Sequence, residues 1–118
     1  MISQPFEIER NNDTVVASVR AAHIELADAQ ELVAELTERI RYENARFFVL
    51  DLSEVDLLAS ACLSNLITFA QDLEHVHGRL VLANCRPTVT TVIKITGLDS
   101  LFAMYDDVEA AAAEVIHG

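Results

Sequence analysis

Two short, uninterrupted apolar runs constrain this chain most: Phe47-Phe48-Val49-Leu50 and Leu80-Val81-Leu82-Ala83. A strand with one wet face alternates apolar and polar residues. A run with no polar interruption suits a strand covered on both faces, as in a parallel sheet between helices. The segments around these runs have helical spacing. Ala29, Leu32, Val33, Leu36 and Ile40 form one stripe between about Ala27 and Tyr42, with Glu31, Glu35, Glu38 and Arg39 opposite. Leu63, Leu66, Ile67, Ala70 and Leu73 form a second between about Ser60 and His75, and Gly78 supplies backbone freedom past its end.

Pro87 suits the first position of a third helix, with Val89, Val92 and Ile93 inward and Gly97 past the end. Leu101 to Tyr105 reads as a short last strand. Asp106-x-x-Glu109 resembles a capping box for a final helix that turns Val108, Ala111, Ala112 and Val115 inward. Phe6 to Arg10 alternates, Asn11-Asn12-Asp13 is turn-forming, and Thr14 to Val19 is β-rich, which together predict an opening hairpin. Alternating strands and helices imply right-handed parallel crossovers. The expected fold is α/β: a mixed sheet of about five strands, mostly parallel after an N-terminal hairpin, with about four helices. Residues 1–118 are expected to form one domain. Functional groups belong at the carboxyl ends of the strands, in the loops after Val19, Leu50 and Ala83.

With 52% hydrophobic residues in 118, the chain has material for a core without disulfides or metals. A domain of this size buries roughly two-thirds of the surface of its unfolded chain. Cys62 and Cys85 are far apart and form no CxxC pair, and no secretory leader is visible, so a cytoplasmic protein is expected. No apolar run approaches the ~20 residues needed to span a bilayer. The net charge of −11, with 8 Lys and Arg against 19 Asp and Glu, argues against nucleic acid and anionic membranes as partners. The charge reads either as a means of keeping a small protein soluble or, more sharply, as an electrostatic match to a basic partner surface.

Catalytic chemistry finds little support. Gly78, Gly97 and Gly118 make no phosphate loop, and no serine sits in a nucleophile elbow. His23, His75, His77 and His117 lack metal-ligand spacing, so no metal and no cofactor are expected. Cys62 reads as a small packed residue. The distinctive segment is Val49 to Leu63. A buried strand ends in Asp51, the chain dips back at Val55, and Leu57-Leu58 lead into small residues at a helix start, where Ser60 is a candidate cap.

This segment resembles the STAS family, the sulfate-transporter and anti-sigma-factor-antagonist domains. Leu50-Asp51-Leu52-Ser53-Glu54-Val55 is similar to the family's strand and Asp-Leu-Ser-x-Val. Leu57-Leu58-Ala59-Ser60-Ala61-Cys62-Leu63 is similar in spacing to its apolar lead into Asp-Ser-Ser/Thr-Gly-Leu. Gly78 to Asn84 with Arg86-Pro87, Ile95 to Phe102, and Asp107 to Ala111 resemble later family segments in the same order. The resemblance implies a module that regulates transcription or signalling by binding a protein such as a serine-kinase anti-sigma factor, and that is not an enzyme. In the family, the second Ser/Thr of the motif is phosphorylated by the partner, and this switches binding off. Here that position is Ala61, with Ala59 in place of the aspartate and Cys62 in place of the glycine. The usual switch is therefore expected to be lost. Ser60 is a poor substitute if its oxygen caps its own helix. The expected partner surface comprises the Glu54 to Ala59 loop with Asp56, the helix residues Ser60, Ser64, Asn65, Thr68 and Gln71, and the loop around Glu25. The alternatives are a sensor of a nucleotide or lipid, and a self-associating scaffold, such as a homodimer, within a larger signalling complex.

Overall fold

The computed structural model of the chain describes residues 5–116. His117 and Gly118 lie outside the described residues. β1 (Phe6–Asn11) and β2 (Thr14–Val19) form the antiparallel hairpin, turning at Asn12-Asp13 with Asn12 at φ 56°. A left-handed turn residue matches the twist of such hairpins, and Asn tolerates it. After β3 (His23–Ile24), α1 (Leu26–Glu43) leads to β4 (Phe47–Asp51). β5 (Leu57–Leu58) precedes α2 (Ser60–His75), which is followed by β6 (Arg79–Ala83) and α3 (Pro87–Ile95). A short 3-10 turn (Leu98–Ser100), β7 (Met104–Tyr105) and α4 (Val108–Val115) complete the described chain.

The main sheet has five strands in the order β1-β2-β4-β6-β7, parallel from β2 onward. β4 and β6 are central and buried on both faces, as their unbroken apolar runs require. Phe48 and Leu50 face the larger core with Leu32, Leu36, Leu66, Phe69 and Leu73 from α1 and α2. Val49, Val81 and Ala83 face the opposite way, onto Ala111 and Val115 of α4. Phe48 and Phe69 meet edge to face, with centroids 5.5 Å apart.

Several local expectations change. β7 is two residues long, because a 3-10 turn occupies the segment before it. The last helix is capped by Asp107 rather than Asp106: its carboxylate accepts from the Ala110 N–H at 2.7 Å. Val92, read as inward, is 37% exposed, because α3 buries only Val89 and Ile93. The left-handed residue after α2 is His77, at φ 60°. Gly78 is required by space: a Cβ there would lie 2.5 Å from the Arg46 carbonyl oxygen. Gly97, at φ 76°, does supply the left-handed turn after α3.

Candidate functional site

The loop between β4 and α2 is held from both sides. Asp51, at the end of β4, accepts from the Ser53 N–H at 3.0 Å and the Asn84 side-chain amide at 3.2 Å, which turns the chain out of the sheet. Val55 then tucks in, fully buried. The Asp56 and Leu57 N–H groups both donate to the Ala22 carbonyl, at 2.8 and 3.1 Å. This contact aligns the small parallel pair β3–β5, with His23 opposite Leu57 and Ile24 opposite Leu58. The pair is invisible to periodicity, because two residues cannot alternate. It brings Glu25, the residue before α1, beside Ala59, the residue before α2.

Two arginines complete the clamp. Arg20 reaches Glu54 at 2.7 Å and Glu7 at 3.4 Å. The Glu54 hydrogen bond, then the charge of Glu7, hold its guanidinium even more firmly protonated than usual. Arg86, the residue before α3, donates to Asp56 at 2.7 Å and to the Ser53 carbonyl at 2.8 Å, and the Thr88 hydroxyl donates to the Asp56 carbonyl at 2.9 Å. Exposed pairs like these add little to stability. Their effect is conformational, since they converge on three residues of one short loop, Ser53, Glu54 and Asp56. Arg20 carried no motif signal in the sequence, and Arg86 entered only through the Arg86-Pro87 resemblance, which gave it no role at this loop.

Ala59 is the N-cap of α2, and this corrects the expectation for Ser60. Ser60 is the first helical residue and is exposed, and the cap position makes no side-chain hydrogen bond. The physical reason for discounting Ser60 as a phosphate acceptor therefore disappears. Ala61, Ser64 and Thr68 are exposed and Asn65 is half-buried. With Leu26 of α1 they line a shallow surface depression. The hydroxyls of Ser64 and Thr68 donate to the carbonyls four residues earlier, at 3.2 and 3.1 Å. Glu54 and Asp56 are exposed at the loop edge. Gln71 lies a turn further along the same helix.

Cys62 is fully buried, and its thiol donates to the Ile24 carbonyl at 3.1 Å, tying the start of α2 to β3. Burial pushes this thiol up, and the carboxylates of Asp28 and Glu25 add to the shift. Burial followed by the charge of Asp51 pushes the Cys85 thiol up to about 11. Both cysteines are thus held as neutral thiols at physiological pH, unlike reactive cysteines, whose pKa is depressed. Among the described residues, no group of His, Cys, Asp and Glu converges as a metal site, and no helix is long and apolar enough to cross a membrane.

A loop braced at the carboxyl end of a central strand and leading into a helix of small exposed residues can be compared with known proteins. The family model for the STAS domain matches residues 5–111. The chain belongs to the STAS domain family. This STAS domain is 39% identical over 87 residues to BtrV of Bordetella bronchiseptica, a protein that carries the name of an anti-sigma factor antagonist; the match covers 74% of each chain. Its fold superposes on TM1081 of Thermotoga maritima with a TM-score of 0.85 at 19% identity, over 100% of this chain and 92% of the other. Unphosphorylated SpoIIAA, a Bacillus cell-fate determinant, gives a TM-score of 0.79 at 23% identity over 96% of both chains. SpoIIAA also has a structure in its phosphorylated form. BtrV, TM1081 and SpoIIAA all carry the name of an anti-sigma factor antagonist.

Proposed function

We propose that this chain works as a single STAS domain that binds a protein partner of the anti-sigma-factor type, and that its binding is not controlled by phosphate at the family's usual position. The observation that carries the reading is the exposed face of α2, where Ala61 stands beside Ser64, Asn65 and Thr68 next to a loop already braced in one shape. A pre-braced loop loses little conformational entropy on binding. Phosphate at residue 61 would add about −1.5 to −2 charge to this surface, and alanine cannot accept it. The recognition surface comprises Glu25, Glu54, Asp56, Ser60, Ser64, Asn65 and Thr68.

Calorimetry with the serine-kinase anti-sigma factor of the same host tests this. Binding is expected to be the same before and after incubation with ATP, whereas Ala61→Ser is expected to become phosphorylated and released. Asn65→Arg is expected to weaken binding at least ~10-fold with an unchanged melting temperature, because a charged side chain in a packed contact costs more than ~1.4 kcal/mol. Absence of binding would overturn the interaction itself. Phosphate mapped to Ser60 by mass spectrometry, with release of the partner, would show that the switch has moved by one residue.

A further inference from the structure

A second depression lies beside this face, between the β5 turn and α3. We infer that it seats one apolar side chain of a protein partner whose adjoining surface is basic. This rests on the reading of the α2 face as the docking surface and adds the anchor that the polar face lacks. The cavity is about 200 Å³, with walls formed by Leu57, Leu58, Leu63, Val89, Val92 and Ile93. Leu57 is 55% exposed and Val92 37%. Two large aliphatic residues therefore meet water at its lips, while its floor of Val89, Ile93 and Leu63 is buried.

Size and chemistry select the occupant. Small-molecule sites usually enclose ~300–1,000 Å³ and present several convergent polar groups. This cavity is smaller, and its polar edge is already committed: the Thr88 hydroxyl donates to the Asp56 carbonyl, and the Asp56 carboxylate accepts from Arg86. Its walls bring no unpaired donor to a nucleotide phosphate. A single aliphatic or aromatic side chain fits such a space, and fully buried apolar anchors dominate many protein interfaces.

Charge selects the partner surface. Glu25 and Asp28 lie close enough to the start of α2 to act on the Cys62 thiol. Glu54 and Asp56 flank the loop, and the nearby cations Arg20 and Arg86 are each occupied by these or neighbouring carboxylates. Of these carboxylates only Asp56 lines the cavity. The loop beside it and the start of α1 hold Glu7, Glu25, Asp28, Glu54 and Asp56 against Arg20 and Arg86, so the surface next to the cavity carries surplus negative charge on a chain of net charge −11. A second copy of this chain would bring like charge to like, whereas a basic surface is steered toward the groove.

The experiment titrates the full chain, followed by methyl NMR, with a blocked tripeptide of leucine between two lysines. Shifts are expected at the methyls of Leu57, Leu63, Val89 and Val92. Replacing the central leucine with glycine, or the lysines with glutamates, is expected to weaken the response about tenfold or more, the low end for burying a leucine side chain. Val92→Ser is expected to weaken it similarly, while Ile95→Ser, at an 80% exposed site outside the cavity, leaves it unchanged. Equal binding of the glycine peptide would overturn the anchor. Sedimentation showing a dimer that Val92→Ser dissolves would assign the groove to a second copy, and ATP or a fatty acid shifting the same methyls would assign it to a small ligand. The peptide assay needs no anti-sigma factor. Failure of the peptide with anti-sigma-factor binding intact refutes the groove alone; the converse refutes the proposed function alone.

Discussion

Gly78→Ala tests the packing that fixes the start of β6. Gly78 follows the left-handed residue His77, and its N–H closes the end of α2 on the Leu73 carbonyl at 2.7 Å. Adding a methyl group would place it 2.5 Å from the Arg46 carbonyl oxygen and 2.9 Å from a Leu73 methyl. Neither neighbour yields easily. The Arg46 oxygen accepts the Arg79 N–H at 2.9 Å where β6 begins beside β4, and Leu73 is fully buried. Forcing a methylene-sized group into a packed site costs about 1–3 kcal/mol. Stiffening the unfolded chain returns about 0.4–1 kcal/mol. The net loss is about 1–2 kcal/mol, which lowers the melting temperature of a domain of this size by about 4–8 °C. Urea denaturation should show a lower midpoint at an unchanged slope, since the surface exposed on unfolding is the same. A midpoint equal to or above that of the unchanged protein would refute the steric account and leave helix termination as Gly78's only role.

Asp51→Ala should destabilise by about 2 kcal/mol in the same assay, because it leaves the half-buried Ser53 N–H and the Asn84 amide without their acceptor. Asp51→Asn, which keeps one acceptor oxygen, should recover part of that loss. Cys85 should make stability fall at alkaline pH. Its thiol titrates near 9.0 in the unfolded chain and at about 11 when folded, so its contribution is complete below pH 9.0 and is lost as the pH rises toward 11. Chemical denaturation of Cys85→Ala across that window should give a shallower decline, and an identical decline would refute the assignment.

The parts of the fold legible in the sequence are those set by burial over five or more residues. β4 and β6 were readable because both faces are covered, so the apolar run has no gap. α1 and α2 were readable because each buries a stripe several turns long. Among features set by one or two residues, the turn at Asn12-Asp13, Pro87 and Gly97 were readable because Asn, Pro and Gly carry their own backbone preference, and the rest were not. The β3–β5 pair rests on the Ala22 carbonyl receiving two N–H groups, and no side-chain pattern encodes a backbone carbonyl. Ser60 misled as a cap because residue type gives the preference for capping, while the backbone decides which residue stands there. Ala59 holds the extended conformation, and Ser60 is already helical. Asp106 misled by the same one-residue margin. Arg20 and Arg86 lie thirty or more residues from the side chains they brace, and only the strand order brings them together.

That difference bears on how this surface works. At the start of α2 the chain carries Ala59, Ala61 and Cys62, so no hydroxyl stands at residue 61. The loop before it is pinned by two arginines, a threonine and a backbone pair. A loop held in one shape by these contacts loses little conformational entropy on binding, in line with the recognition surface proposed above. Cys62 supports the same reading: its side chain fills the space beneath the helix start and bonds to Ile24, tying α2 to β3. On the proposed reading, alanine at residue 61 and that contact both favour one fixed state.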